Sequence, residues 1–184
     1  HVISSPISSR LLCRFSQRSC YESWCRRVKA SDRTMPVDND IIENFYTKYP
    51  YPSRDFEDVS HKSILPANIF AIDRYILGNS LSKFRHLNIL IAGCGTGDAA
   101  VALINQTREL NLFVKLHCVD LSMASLKILK KRVNNIDSKN EIFTYCQSIE
   151  YFCENHHEEF DYIDLCGVLN HVEDPFTVMT ALCK

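Results

Sequence analysis

The chain has 184 residues, 46% of them apolar and 23% charged, which is enough for one sizeable core but short for two full domains. Its 21 basic and 22 acidic residues give a net charge of −1, so charge offers no argument for a nucleic-acid or membrane-surface protein. No apolar run approaches the roughly 20 residues of a membrane-spanning helix, and nine scattered cysteines favour free thiols in a reducing compartment over a disulfide framework.

Residues 1–34 differ in composition from the rest of the chain. They are rich in serine and hold seven basic residues but only two acidic ones, Glu22 and Asp32. Two interpretations stay open: the segment is a mitochondrial transit peptide, or it precedes a natural start at Met35 in a cytoplasmic protein. Its three cysteines lack the spacing of zinc ligands, so we expect no metal site in this basic tail.

Residues 35–86 are predicted to form an N-terminal helical segment. Asp38 can cap a short helix that must end before Pro50, and Tyr49-Pro50-Tyr51-Pro52 then forms an extended loop. A second helix is predicted from Pro66 to Gly78, because proline suits a first turn and glycine a C-terminal stop.

Strand and helix signals alternate in the remaining residues, 87–184. The four predicted strands are apolar runs at 87–92, 113–119, 142–146 and 162–166. Helices are predicted after Gly97, after the capping residue Ser122, and after Asp174-Pro175, where the helix continues to Lys184. This alternation predicts an α/β fold with a parallel sheet.

A glycine-rich loop follows the first predicted strand. Three of the chain's five glycines, Gly93, Gly95 and Gly97, alternate there. Glycine lets a backbone approach a ligand closely, and the turn leads into a helix whose N-terminus carries partial positive charge. Since an ordinary turn needs only one glycine, the loop predicts a bound ligand.

Asp98 helps to choose between two classes of ligand. Residues 95–100 can be fitted to the G-x-G-x-x-A pattern of dinucleotide-binding proteins, but the fit begins two residues past the strand. In that fit Asp98 would also repel a pyrophosphate, whereas a carboxylate attracts a cationic ligand. S-adenosylmethionine has a sulfonium and an amino group and no phosphate, so it fits the loop better than a dinucleotide does.

Asp120 ends the second predicted strand. A carboxylate at that tip can accept two hydrogen bonds from ribose hydroxyls, which both NAD and S-adenosylmethionine possess. Asp120 therefore predicts a ribose without identifying the cofactor. The alternative is a residue that serves only the N-terminus of the next helix.

Three segments of the sequence resemble successive motifs of class I S-adenosylmethionine-dependent methyltransferases, most closely the small-molecule types 11 and 12. They are residues 90–98, 119–122 and 160–175. The resemblance covers about residues 87–184 and implies a Rossmann-like α/β fold, S-adenosyl-L-methionine as cofactor, and methyl transfer to a small-molecule acceptor. Nucleic acid is not expected as acceptor, because no Asp-Pro-Pro-Tyr-like segment follows the fourth strand, while a protein acceptor stays open.

The resemblance also implies which residues bind the cofactor. They lie in four places: Gly93, Cys94, Gly95, Gly97 and Asp98 in the glycine loop, Asp120 and Leu121 after the second strand, Ser148 and Ile149 after the third, and Cys166, Gly167 and Asn170 after the fourth. Asp120 would bind the ribose and Leu121 would pack on adenine. The family often has an acidic residue near the adenine amino group, where this chain has Gln147, Ser148 and Ile149.

The resemblance leaves the catalytic base and the completeness of the domain as expectations. His171 is the candidate base near the end of the fourth strand, with a structural, hydrogen-bonded histidine as the alternative. The family's sheet has seven strands and four are predicted here, so we expect a fragment that lacks the C-terminal strands. A non-catalytic binding or partner module that keeps the cofactor fold is the second functional hypothesis.

Overall fold

The computed structural model describes residues 39–59, 67–136, 139–172 and 174–183. The predictions for residues 1–34, Met35, Asp38 and Pro66 lie outside these ranges.

Four parallel strands form the centre of the described structure, in the order β3-β2-β1-β4. They are β1 (His86–Ala92), β2 (Phe113–Asp120), β3 (Glu141–Cys146) and β4 (Tyr162–Asp164). Ile91 of β1 lies opposite Cys118 of β2 on one side and opposite Asp164 of β4 on the other. The predicted Rossmann-like α/β fold with a parallel sheet is therefore confirmed.

Helices cover both faces of the sheet. They are α1 (Asn39–Lys48), α2 (Ile69–Ile72), α3 (Asp98–Glu109), α4 (Met123–Asn134), α5 (Ile149–Asn155) and α6 (Pro175–Leu182). Alternate residues of β1 face opposite sides: Ile89 and Ile91 pack in a core with α2, α3 and α4, whereas Leu90 and Ala92 pack in a second core with α5 and α6. The near-continuous apolar sequence of β1 follows from this burial on both faces.

The fourth strand is shorter than predicted. It ends at Asp164, whereas the apolar run predicts that it reaches Cys166. The Asp164 carboxylate explains the difference, because its Oδ1 atom accepts a hydrogen bond from Cys166 N at 3.0 Å and turns the chain away from the sheet.

Two helices also differ from the sequence predictions. Helix α5 was not predicted, although Ser148 caps it by accepting a hydrogen bond from Tyr151 N and Phe152 buries its ring in the core. Its seven residues are too few to show a helical period. The last helix ends at Leu182, with Cys183 as its C-cap, and is therefore shorter than predicted.

The second N-terminal helix begins later than predicted. Within the described residues its first turn starts at Ile69, where Asn68 Oδ1 accepts hydrogen bonds from two backbone N–H groups. The helix continues as a π-helical turn, Asp73–Leu77, and ends at the predicted stop, Gly78, which is left-handed with φ 66°. None of the described helices is long and apolar enough to span a membrane.

Gly97 joins the glycine loop to α3 in a left-handed conformation, with φ 95°. A Cβ atom there would lie 2.7 Å from Leu129 Cγ, in the core formed with α4. This glycine therefore serves close packing between the loop and α4 as well as the turn itself.

We expect Gly97→Ala to lower the free energy of unfolding by about 2 to 4 kcal/mol, from left-handed strain and overpacking against Leu129 together. Gly78→Ala is the matched control, because Gly78 is also left-handed but a Cβ atom added there would have nothing within 4 Å. That variant should lose only about 1 to 2 kcal/mol. Denaturant unfolding of both variants measures the difference, and equal losses would show that contact with Leu129 contributes nothing.

Candidate functional site

A cavity of about 670 Å³ lies at the carboxyl ends of the four strands. Strands β1 and β4 are neighbours in the sheet but not in the sequence, so this is the point where chain connections leave the sheet in opposite directions. Ligands of open α/β sheets bind at such points. Helix α1 and the Tyr-Pro-Tyr-Pro loop complete the walls.

The glycine loop forms the floor of the cavity with its backbone amides already occupied. Gly93 N and Cys94 N both donate to Val119 O, and Gly97 N donates to Cys94 O. Gly95 N donates to Asp120 Oδ2 at 2.8 Å, and Thr96 N donates to Tyr51 O at 3.2 Å. All five N–H groups from Gly93 to Gly97 therefore bond within the protein, which leaves none of them to cradle a phosphate.

The Tyr-Pro-Tyr-Pro loop is docked directly on the glycine loop. Besides the Thr96 N bond, the Thr96 hydroxyl donates to Pro52 O at 2.7 Å. A Cβ atom on Gly95 would lie 2.4 Å from Tyr51 O, so only glycine permits this approach. One reason for the glycines is thus contact with the protein's own N-terminal segment.

Asp98 has a role that differs from the predicted one. Its carboxylate binds two arginines: Arg54 Nη2 at 2.6 Å and Arg132 Nη1 at 2.8 Å. Arg132, only 1% exposed, also donates to Thr96 O and to Asp58 O. The charge of Asp98 is therefore balanced by two arginines inside the protein, a role that was not predicted from the sequence, while its contact with a cofactor stays a prediction.

Two backbone donors orient the carboxylate of Asp120. Its Oδ2 accepts from Gly95 N and its Oδ1 accepts from Ser122 N, both at 2.8 Å. Burial raises the pKa of Asp120, and these two donors counteract the increase only in part. Since each carboxylate oxygen has two lone pairs, one on each oxygen is left for a ligand.

The end of β3 adds an amide to the cavity. Gln147 Nε2 is buried and has no hydrogen-bond partner among the described residues. Leu121, Ser148 and Ile149 line the same end of the cavity. The hydroxyl of Ser148 caps α5. The side-chain N–H donor of this end of the cavity that has no partner among the described residues therefore belongs to Gln147.

The end of β4 adds a buried carboxylate. Asp164 is 3% exposed and lines the cavity with Cys166 and Gly167. Its Oδ1 accepts from Cys166 N, whereas its Oδ2 is buried without a hydrogen-bond partner in the described structure. Burial raises the pKa of Asp164, and the Cys166 N–H offsets that increase only in part.

A tyrosine and a histidine meet in the cavity wall. Tyr46 of α1 places its hydroxyl 3.4 Å from Nε2 of His171, and the two rings meet edge to face. Asn170 Nδ2 lies 3.1 Å from the same nitrogen. Ser122 holds the backbone of Tyr46 in place, because its hydroxyl donates to Tyr46 O at 3.0 Å.

Most of the residues selected from the sequence converge on this cavity. Those that line it are Gly93, Cys94, Gly95, Asp98, Asp120, Leu121, Ser148, Ile149, Cys166, Gly167 and His171. Gly97 and Asn170 do not: Gly97 packs toward Leu129, and Asn170 is an exposed neighbour of His171.

Several polar residues of the cavity wall were not selected from the sequence, among them Tyr46, Arg54, Arg132, Gln147 and Asp164. Asp164 carried a usable signal, because it is an acidic residue inside an otherwise apolar strand. Tyr46, Arg54 and Arg132 are brought to the site by contacts between distant segments, which no local pattern shows.

The lining residues give the cavity an acidic character. Five of them are acidic (Asp58, Asp98, Asp120, Glu150 and Asp164) and two are arginines (Arg54 and Arg132). Both arginines are engaged by Asp98. The electrostatic balance therefore favours a ligand with positive charge and disfavours a pyrophosphate.

Comparison with known proteins identifies a family. The model of a family described as "Methyltransferase domain" matches residues 90–184. A search of curated proteins finds no match.

Several solved structures share parts of the chain. The plantazolicin methyltransferase BpumL in complex with SAH is 23% identical, with 52% of this chain and 33% of that chain covered and a TM-score of 0.40. An S-adenosylmethionine-dependent methyltransferase from Clostridium acetobutylicum is 17% identical (89% and 52% covered, TM-score 0.44). Coclaurine N-methyltransferase bound to N-methylheliamine and SAH is 16% identical (78% and 44%, TM-score 0.44). The chain thus spans 33 to 52% of the length of these proteins.

The arginine contacts of Asp98 predict a pH-dependent contribution to stability. Burial acts to raise the pKa of this carboxyl, but the hydrogen bonds and charges of Arg54 and Arg132 together lower it. A lowered pKa contributes stability that is present above the unfolded value, near pH 4, and is lost as the pH falls through the folded value. Asp98→Asn should therefore cost about 2 to 4 kcal/mol of unfolding free energy at pH 7, and the difference from wild type should shrink below about pH 4.

Urea unfolding at a series of pH values measures this difference. Asp55→Asn serves as the control, because Asp55 is an exposed carboxylate on the same segment. A difference between Asp98→Asn and wild type that stays constant or grows toward acid pH would contradict the assignment.

Proposed function

Since the chain belongs to the methyltransferase domain family, we propose that its cavity binds S-adenosylmethionine and that the protein transfers the methyl group to a small-molecule acceptor. The observation that carries this proposal is the pairing of the glycine loop with Asp120. The loop has no free amide from Gly93 to Gly97, while Asp120 holds an oriented carboxylate beside it. Such a site fits a ribose that carries no phosphate.

The residues at the β3 end fit an adenine ring. Leu121 and Ile149 supply apolar surface, and Gln147 supplies a buried amide whose nitrogen lacks a partner among the described residues. An amide both donates and accepts, so Gln147 can hydrogen-bond the edge of adenine where the family often has an acidic residue. We assign the adenine end of the cofactor to this side of the cavity.

The opposite side of the cavity fits the amino-acid end of the cofactor. Arg54 lines it and is about one-third exposed at its side chain. Its Nε and Nη2 atoms bind Asp98, while Nη1 lies 3.7 Å from Asp58, so one guanidinium nitrogen is only loosely held. We propose that this nitrogen faces the cofactor carboxylate.

When bound, S-adenosylmethionine supplies an electrophilic methyl group on a sulfonium. The protein's own part is to align the acceptor and to remove its proton. Tyr46 and His171 are placed for the second task. Burial, and secondarily the charge of Asp120 and neighbouring Tyr51, raises the pKa of Tyr46, so its hydroxyl stays protonated at neutral pH and can donate to His171 Nε2.

We propose that His171 is the base and that Tyr46 links it to the cavity. As the Tyr46 hydroxyl gives its proton to Nε2, its oxygen accepts the proton of the acceptor, and the positive charge then resides on the imidazolium of His171. The distance of 3.4 Å between the Tyr46 hydroxyl and Nε2 is long and would shorten in a closed complex.

The size and charge of the cavity support a class of acceptor. A cavity of about 670 Å³ suits a small molecule, and its acidic lining does not suit a nucleic acid. A protein acceptor remains the alternative.

The described cysteines are free thiols, and we propose the cytoplasm as the compartment, or the mitochondrion if residues 1–34 are a transit peptide.

We expect Asp120→Asn to weaken the binding of S-adenosylhomocysteine at least tenfold, because the amide loses the charge and one acceptor atom. Isothermal titration measures the affinity, with NAD as the control ligand that wild type should not bind. The same variant should lose stability only modestly, since the amide oxygen can keep one of the two backbone donors. Wild-type protein that binds NAD and not S-adenosylhomocysteine would refute the proposed cofactor.

We expect Tyr46→Phe and His171→Ala to reduce methyl transfer by about 10²- to 10⁴-fold and to leave the affinity for S-adenosylhomocysteine unchanged. The measurement uses labelled S-adenosylmethionine against a panel of small amines, alcohols and thiols. Because the two residues act as one unit, the double variant should be no slower than the slower single variant. Additive losses would mean that they do not share one proton path.

A further inference from the structure

We propose that Asp164 binds the α-ammonium group of S-adenosylmethionine, an assignment that rests on the proposed function. Asp164 is one of the most buried ionisable residues that line the cavity, with 3% of its surface exposed. One carboxylate oxygen, Oδ1, accepts a hydrogen bond from Cys166 N. The other, Oδ2, has no donor among the described residues.

The fold alone does not explain a carboxylate at this position. The turn after β4 needs only one acceptor oxygen, which asparagine or serine would also supply. A buried oxygen without a donor costs free energy, and a buried charge costs more. An acidic residue at a position where its burial costs stability indicates a ligand that compensates the charge.

Among the residues that the structure describes, no cation that lines the cavity is bonded to this carboxylate. Arg54 and Arg132 line the same cavity, but both bind Asp98, and Arg132 also donates to the backbone carbonyls of two other segments. His171 lines the wall and contacts Tyr46 and Asn170. Within the described part of the chain no positive group neutralises Asp164, which favours a ligand that brings one.

The position of Asp164 in the sheet points to the amino-acid end of the cofactor. Asp120 ends β2 on one side of β1, and Asp164 ends β4 on the other side. A ribose fixed at Asp120, with adenine toward β3, directs the rest of the cofactor across the glycine loop toward β4. The ammonium then approaches Oδ2 in a water-poor site, where a charge-assisted hydrogen bond is strong.

The test is a thermodynamic cycle that combines one substitution in the protein, at Asp164, with one change in the ligand, the loss of its amino group. Asp164→Asn keeps the acceptor for Cys166 N and removes the charge. The ligands are S-adenosylhomocysteine and its desamino analogue, in which hydrogen replaces the amino group and the carboxylate is kept. We expect the variant to bind S-adenosylhomocysteine at least tenfold more weakly than wild type does, and to bind the desamino analogue within about threefold of wild type.

Unfolding of the ligand-free protein gives a second readout. Burial raises the pKa of Asp164, so the ionised group lowers stability as the pH rises through its folded value. Asp164→Asn removes that effect and should melt at or above the wild-type temperature at pH 7. If Asp164 were merely structural, its substitution would instead lower the melting temperature and weaken the binding of both ligands to the same extent.

Asp161→Asn is the matched control. Asp161 lies three residues away, accepts a hydrogen bond from Asn88 N and does not line the cavity. It should leave the affinities for both ligands unchanged. If Asp164→Asn weakens the binding of the two ligands equally, or weakens neither, the assignment is wrong. If wild-type protein binds neither ligand, the proposed function itself is wrong.

Discussion

The docking of residues 51–58 on the glycine loop is the constraint on which the site depends. Carbonyl oxygens of Tyr51, Pro52 and Asp58 take donors from Thr96 and Arg132, so the N-terminal segment satisfies polar groups of the core. Because these donors are buried, separating the segment would leave them without acceptors at a cost of about 1 to 3 kcal/mol each. The segment is therefore a wall of the cavity and belongs to the same folded unit as the sheet.

Three carboxylates of the cavity show how one residue type takes different roles through its partners. Asp98 is balanced by two guanidinium groups and joins the N-terminal segment to α3 and α4. Asp120 is oriented by two backbone N–H groups and keeps one lone pair on each oxygen. Asp164 has one backbone donor and one oxygen without a donor among the described residues. Only the last two leave capacity for a ligand, although the sequence shows an aspartate in each case.

Sequence patterns predicted the parts of the fold that short segments determine. The four strands, the glycine loop and the Ser122 cap follow from apolar runs, glycine spacing and local hydrogen bonding within a few residues. The role of Asp98 could not be predicted, because it depends on Arg54 and Arg132, which lie 44 and 34 residues away. The same limit applies to Tyr46 and His171, which are separated by 125 residues and meet only when α1 covers the cavity. Asp164 differs from these residues, because an acidic residue inside an apolar strand is a local signal that the sequence itself carries.

Ser122 connects the two halves of the site. Its backbone N–H orients Asp120, its hydroxyl accepts from Ser125 N to begin α4, and the same hydroxyl donates to Tyr46 O. Asp120, the proposed ribose acceptor, and the tyrosine that faces His171 are thus both held by one buried residue, Asp120 through its backbone N–H and Tyr46 through its hydroxyl. A shift of Asp120 on binding a ligand would be transmitted to α1 through this residue, since rigid packed elements move together. If Asp120 binds the ribose and Tyr46 with His171 accepts the proton, as proposed, Ser122 links the position of that pair to the occupancy of the ribose site.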